Sequence, residues 1–293
     1  MTENIQQLAG KSVVITGATS GIGLAAAMKF TQEGAFVIGV GRSAVRNDLA
    51  QKMITEANPK SRFVYLLADL GDQDQVHALG AKIKAQLNQH GHQQLDVLIN
   101  NAGVYLEKKQ TTADGIEMTF AVNHLAPFIL SHELFALLKQ SQRGRILTVT
   151  SYSHRLTPLM LKRITSPYPY ISFLAYKRSK LCNILFTYEF NRRFRSVEAF
   201  AVDPGLVNTK IVSKAEDGLF AWFGRRRVSK GTSTDVPVTC LLFLTSEDQI
   251  DTSNGYYFKG CQSQTSSKKA RRKDLARDLW ELSSQLTGIN WPR

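Results

Sequence analysis

The chain has 293 residues, 43% of them hydrophobic, which is enough apolar mass for a sizeable core and too much for a disordered polymer. Its longest unbroken apolar runs, such as Cys240 to Leu244, fall far below the roughly 18 residues of a membrane span, and the opening MTENIQQLAGK lacks the apolar core of a secretory signal. A net charge of +13 and a pI of about 9.7 favour an anionic partner, whether a phosphorylated cofactor, an acidic membrane surface or nucleic acid, yet the basic residues are dispersed apart from Gly224 to Arg227 and Lys268 to Lys273, and no zinc-finger or RNA-binding signature accompanies them.

Ser12 to Thr16 (SVVIT) is a short β-branched run that predicts a first strand, followed by a glycine-rich turn and a helix ending at Gly34. AFVIGVG predicts a second strand and RFVYLLAD a third, with a polar helix between them. QVHALGAKIKAQL reads as helix, LDVLINN as strand, and the stretch from Asp114 to Gln140 as one long helical segment. GRILTVTS gives a fifth strand, a helix surrounds YKRSK, and VEAFAVDPG gives a sixth. Near-continuous apolar strands alternating with helices predict a doubly wound parallel sheet of about seven strands with helices on both faces. No linker or repeat divides the chain, so residues 1–293 are expected to form a single α/β domain. Two segments resist the pattern, near 154–173 and 207–231; both follow the carboxyl end of a strand, where such sheets bind ligands, and are expected to be substrate loops. Cys182, Cys240 and Cys261 are widely spaced without a CxxC pair, which points to free thiols in a reducing cytoplasm and to no metal site.

The turn TGATSGIG, Thr16 to Gly23, opens the first helix with Gly17, Gly21 and Gly23 in GxxxGxG spacing. A turn without Cβ atoms brings backbone N–H groups close to a pyrophosphate at a helix N-terminus, so Gly17, Thr19, Ser20, Gly21, Ile22 and Gly23 are candidate cofactor residues. The second strand ends in GVGRS, with no carboxylate to accept from a ribose 2′-hydroxyl. Arg42 offers a guanidinium to a 2′-phosphate instead, which favours NADP(H) over NAD(H).

YKRSK places Tyr176, Ser179 and Lys180 on one helical face, while Lys177 and Arg178 point elsewhere. An ammonium beside a phenol favours phenolate, so Lys180 is expected to lower the Tyr176 pKa and suit it to acid–base work.

Taken together, TGATSGIG, NNAG (Asn100 to Gly103), Asn123, Ser151, YKRSK as YxxSK and DPGLVNT (Asp203 to Thr209) occur in an order that resembles the short-chain dehydrogenases/reductases. The phrases DGIEMTFAVNHLAPFILSHELF, SKLCNILFTYEF and LARDLWELSSQLTG are similar to the retinol dehydrogenase branch, and the resemblance runs from about Lys11 to Gly288. It implies that Tyr176 exchanges a proton with the substrate oxygen, that Lys180 also binds the nicotinamide ribose, that Ser151 orients the carbonyl and that Asn123 holds a water of the proton relay. It implies further that Asp69 and Leu70, with Asn101, Ala102 and Gly103, lie along the adenosine side, and that Pro204, Gly205, Val207 and Thr209 lie by the nicotinamide. Two departures stand out: Asp203 occupies a position that is often histidine in that branch, and the insert between Ser151 and Tyr176 does not match well.

The aromatic residues Tyr105, Tyr152 and Trp222, with Leu156, Leu159, Tyr168, Tyr170, Phe220 and Phe223, are candidate walls for a bulky apolar substrate, with ordinary core packing as the alternative for several. Leu275, Leu279, Leu282 and Leu286 mark an amphipathic C-terminal helix near 268–287, expected to pack on the body or on a second copy, its basic start offering peripheral contact with anionic lipid as the lesser reading. The expectation is a cytoplasmic NADP(H)-dependent enzyme interconverting a lipophilic carbonyl and alcohol. The alternatives are a non-catalytic NADP(H)-sensing regulator and a basic nucleic-acid-binding protein.

Overall fold

The computed structural model describes residues 6–205 and 234–292. Strands β1 (Ser12–Thr16), β2 (Phe36–Gly41), β4 (Val97–Asn100) and β5 (Gly144–Val149) are buried at every position, so both faces of the sheet centre must be covered. With β3 (Arg62–Leu67), β6 (Val197–Asp203), β7 (Tyr257–Lys259) and β8 (Gln262–Ser263) they form one sheet in the order β3-β2-β1-β4-β5-β6-β7-β8. The first seven strands pair in parallel; β8, a two-residue strand too short to predict from pattern, adds an antiparallel edge to β7.

Helices α1 (Gly21–Gln32), α2 (Ala44–Ala57) and α8 (Asp235–Ser246) cover one face, burying Phe30, Ile54 and Leu241 against Val13, Val37 and Phe200. The opposite face carries α3 (Gln73–Gln89), α7 (Ser172–Arg193) and α9 (Lys273–Thr287). Between α3 and β5, the predicted single helix of 114–140 is broken into α4 (Met118–Phe120), a π-helical turn Ala121–Leu125, α5 (Ala126–Glu133) and α6 (Phe135–Gln140). The start is set by the buried Glu117, whose carboxylate accepts from the N–H groups of Thr119 and Phe120, both at 2.8 Å. Hydrophobic periodicity sees only the buried stripe and is blind to a change from i+4 to i+5 bonding.

The strand order reverses at β1, whose neighbours β2 and β4 leave the sheet toward opposite faces. The crevice there, at the carboxyl ends of β1, β4 and β5, gathers the glycine turn, the NNAG loop and Ser151.

Candidate active site

The glycine turn is built by close approach. Gly17 has φ +68, and a Cβ on it would lie 2.9 Å from the Cα of Ala102. A Cβ on Gly23 would lie 2.2 Å from the carbonyl oxygen of Gly17. The NNAG loop is laced to this turn. Asn101 Nδ2 donates to the carbonyls of Thr16 (2.9 Å) and Gly17 (3.3 Å), and Thr16 Oγ1 accepts from the N–H groups of Asn101 and Ala102, each at 3.1 Å. From the β3 side, Tyr65 Oη donates to the Ala18 carbonyl at 2.6 Å. Thr19 packs its methyl toward Gly41 at the end of β2, Ile22 is buried, and Leu70 lines the same crevice as Thr16 and Ala102.

Ser20 begins α1 without capping it through its side chain, which leaves the helix N–H groups open to a ligand. Arg42 is exposed one residue beyond β2, and makes no ion pair among the described residues; Ser43, next to it, caps α2. Asp69 is exposed and accepts from the Gly71 N–H at 2.8 Å, closing a turn, while the cap of α3 is Asp72. A turn whose glycines leave no room for Cβ atoms, a helix N-terminus without a side-chain cap and a guanidinium that makes no ion pair among the described residues fit a phosphorylated dinucleotide.

At the chemical end, α7 carries Tyr176, Ser179 and Lys180 on one face, as helical spacing predicts. Lys180 is buried; its Nζ donates to the Val149 carbonyl at 2.9 Å and stands 5.7 Å from the centre of the Tyr176 ring. Gly103 faces this group: a Cβ there would be 3.4 Å from Lys180 Nζ and 3.3 Å from Asn123 Oδ1. Asn123 sits in the π-helical turn, where it is fully buried. Its Oδ1 accepts from the Val104 N–H (2.7 Å), and its Nδ2 donates to the Val104 carbonyl and to Ser179 Oγ, each at 3.0 Å. Ser179 Oγ in turn donates to the Tyr176 carbonyl at 2.8 Å. Tyr105 packs edge-on to Tyr176 with ring centres 5.9 Å apart.

The protonation balance differs from the expectation. Burial pushes the Tyr176 phenol up to about 12, with the Ser151 side chain pulling the other way and the Asp203 carboxylate adding to the rise. Burial also lowers Lys180 to about 8, which thins its positive charge near neutral pH. Helical spacing brings the ammonium to one side of the phenol ring, and desolvation, which spacing does not reveal, acts on both partners.

Ser151 lies just past β5, and its Oγ accepts from the Ser153 N–H at 3.2 Å. Pro204 and Gly205 follow β6 beside it, with Gly205 N–H donating to Asp203 Oδ1 at 2.9 Å. Of the candidate substrate walls, Tyr105 bonds Ser172 Oγ at 2.9 Å and Tyr170 Oη donates to the Leu106 carbonyl at 2.9 Å. Tyr152, Leu156 and Tyr168 are exposed, and Leu159 packs from the insert against the core of α7 and α9. Val207, Thr209, Phe220, Trp222 and Phe223 lie outside the described residues. Sequence reasoning passed over His154 and Tyr257, which flank Ser151 and Asp203; a lone histidine in an irregular insert and a tyrosine in a three-residue strand carry no spacing signal.

Comparison with known proteins shows the family of the chain. The profile of the family described as short chain dehydrogenase matches residues 11–219. Retinol dehydrogenase 12 of Mus musculus is 34% identical over 99% of this chain and 90% of its own length. Retinol dehydrogenase 11 of Homo sapiens is 35% identical over 97% of this chain and 87% of its own. Among solved structures, an uncharacterized protein from Mycobacterium paratuberculosis superposes with a TM-score of 0.73 at 28% identity, covering 97% of this chain and 96% of that one. A short chain dehydrogenase from Escherichia coli CFT073, complexed with NADPH, shares the fold at a TM-score of 0.65 and 19% identity, over 88% of this chain and 99% of that one.

Proposed function

The chain belongs to the short-chain dehydrogenase family, oxidoreductases of alcohol and carbonyl groups, and on that premise we propose that it is an NADP(H)-dependent reductase of a lipophilic aldehyde or ketone, with Tyr176 as proton donor. The observation that carries this reading is the convergence of Lys180 and Asn123 on Gly103, with the Tyr176 ring 5.7 Å from the Lys180 ammonium, beside a glycine cradle in which a Cβ on Gly23 would strike the Gly17 carbonyl at 2.2 Å. When bound, the nicotinamide supplies the hydride. Tyr176 then releases its proton to the carbonyl oxygen as negative charge grows there, and Ser151 Oγ donates a hydrogen bond to the same oxygen. Lys180 steadies the phenolate left behind, and Asn123 holds α7 and the Val104 backbone in register through Ser179. On the cofactor side Gly17, Gly21 and Gly23 admit the pyrophosphate, Asp69 and Leu70 border the adenine, and Arg42 pairs with the 2′-phosphate, for which the absence of a carboxylate at the end of β2 is the support.

The relatives' retinol dehydrogenase names support a lipophilic substrate class. So does the insert near 154–173, which exposes Leu156, Met160, Tyr168 and Ile171 among Lys162 and Arg163, in a stretch with no acid between Glu133 and Glu189. That composition suits contact with an anionic lipid surface, where such substrates partition. Screening lipophilic aldehydes and ketones for NADPH oxidation tests the proposal. Turnover that falls about 10²- to 10⁴-fold in Tyr176→Phe, with cofactor binding intact, is the expected result. Cofactor binding with no Tyr176-dependent turnover of any carbonyl would favour the sensing protein instead.

A further inference from the structure

Six of the eleven large hydrophobic side chains exposed among the described residues fall between 152 and 173: Tyr152, Leu156, Met160, Tyr168, Ile171 and Phe173. Single exposed apolar residues need no explanation, but a cluster of this density does. Leu156 is 96% exposed and holds φ +53, so neither packing nor backbone preference accounts for a leucine there. Met160, Tyr168 and Ile171 come together with Pro167, Arg163 and Arg178 around an open cavity of about 130 Å³. Cations from the insert and from four other segments ring the same surface. Arg155 and Lys259 stand over the Tyr152 ring at 5.2 and 5.1 Å. Lys269 Nζ donates to the Thr157 carbonyl at 2.8 Å, and Arg178 Nε donates to the Pro158 carbonyl at 3.0 Å. Lys109 Nζ donates to Ser166 Oγ at 3.1 Å, and Lys177 lies over the Phe173 ring at 5.1 Å. None of these six cations joins an ion pair among the described residues. The acids nearby do not balance them. Glu117 is buried on the N–H groups of Thr119 and Phe120, Asp274 pairs with Arg272, and Glu107 is followed by Lys108 and Lys109.

We propose that residues 152–173 form a docking surface for an anionic phospholipid bilayer: the apolar side chains enter the boundary of headgroups and acyl chains, and the cations around them meet the phosphates. Charge complementarity selects this occupant. A second copy seated on the same surface would bring two rings of like charge together. A nucleic acid would meet the cations but leave Leu156 and Met160 in water. The basic run from Lys268 to Lys273, whose Lys269 touches the insert at Thr157, adds to the same field. The insert begins just after Ser151 and ends at α7, the helix of Tyr176, so docking brings the end of β5 and the start of α7 to the lipid surface. As a route to substrate, the proposal rests on the reading of a lipophilic carbonyl, which partitions into that surface.

Flotation of the full chain with lipid vesicles tests this without any substrate. Vesicles of equal parts phosphatidylserine and phosphatidylcholine are expected to carry the protein, and vesicles of phosphatidylcholine alone to carry little of it. Leu156→Ser with Tyr168→Ser removes apolar area and keeps the charge; binding is expected to weaken roughly tenfold or more. Lys162→Gln with Arg163→Gln, both exposed, keeps the apolar area and is expected to weaken binding roughly 10- to 30-fold. Lys52→Gln with Lys60→Gln removes the same charge from the α2 side of the sheet and is expected to bind like wild type. Circular dichroism checks the fold of each variant. Tyr168→Trp adds a local readout: its emission is expected to shift to the blue on anionic vesicles and to be quenched by brominated lipid. No flotation with anionic vesicles, or an unshifted emission, overturns the proposal. So does equal weakening in the α2-side control, which marks net charge alone. Full binding in the Leu156→Ser, Tyr168→Ser protein marks a polyanion surface and overturns it as well. Docking without turnover of any carbonyl supports the surface and removes the substrate reading alone.

Discussion

Arg42 is exposed one residue beyond β2, where the proposed function puts the 2′-phosphate of the cofactor. A guanidinium with no ion pair among the described residues breaks none when it turns toward a phosphate, and a charge-assisted hydrogen bond of this kind contributes about 1.5–3 kcal/mol. Arg42→Ala is therefore expected to weaken NADPH binding by roughly 10- to 100-fold in a fluorescence titration and to leave NADH unchanged; equal loss for both would remove Arg42 from the phosphate site. His124 poses a different residue-scale question. It is buried between Phe120, which stacks on it at 5.2 Å, and Phe128, with Nε2 on Ser283 Oγ at 2.9 Å, and burial lowers its pKa to about 4. A depressed histidine stays neutral in the fold while the unfolded chain gains a proton, so its contribution to stability is intact above about 6.5 and is lost as pH falls from there toward about 4. The loss is on the order of 3 kcal/mol. Urea midpoints for wild type and His124→Asn, compared at neutral and mildly acidic pH, are expected to converge as the pH drops; parallel decline would show that His124 is not the group responsible.

Among the elements, the turn between β1 and α1 was fully legible in the sequence, because glycines mark where Cβ atoms are forbidden. Gly23→Ala is expected to abolish NADPH binding and to destabilise the fold by about 1–3 kcal/mol, since the new methyl meets the Gly17 carbonyl and Asn101 Nδ2 and neither is free to move. Calorimetric titration and thermal melts check both halves, and a variant that binds normally would show that the turn relaxes. α7 was legible for the same reason: helical spacing joins Tyr176 to Lys180 without tertiary information. The π-helical turn was not. What seats Asn123 there is a long-range pair of bonds to the Val104 backbone and the capping of α4 by Glu117, neither of which leaves a local pattern. The same limit hid His154 and Tyr257, whose partners Ser267 and Asp203 are distant in sequence. The direction of the Tyr176 shift was not legible, because burial is a property of the assembled site.

On the scale of the whole molecule, α9 closes the face of the sheet opposite α1. Its amphipathic pattern was readable, and the helix packs on the body: Leu279 and Ala276 are buried against α7, and Trp280 stacks on Phe186 at 5.6 Å between Phe128 and Trp291. Truncating that indole leaves a cavity among aromatic rings, so Trp280→Ala is expected to cost about 3–5 kcal/mol by denaturant unfolding; a loss below about 1 kcal/mol would mean the helix adds little to the core. The same closure supports α7 from behind, and α7 holds Lys180, and with it Tyr176, against the end of β5. The account therefore stands or falls on whether this assembly moves a hydride under the control of one phenol. Single-turnover reaction of deuterated NADPH with a lipophilic aldehyde, followed by mass spectrometry of the alcohol, measures that directly. The prediction is deuterium on the carbinol carbon in wild type, and transfer at least about 10²-fold slower in Tyr176→Phe. Transfer at equal rates in the two proteins would contradict it.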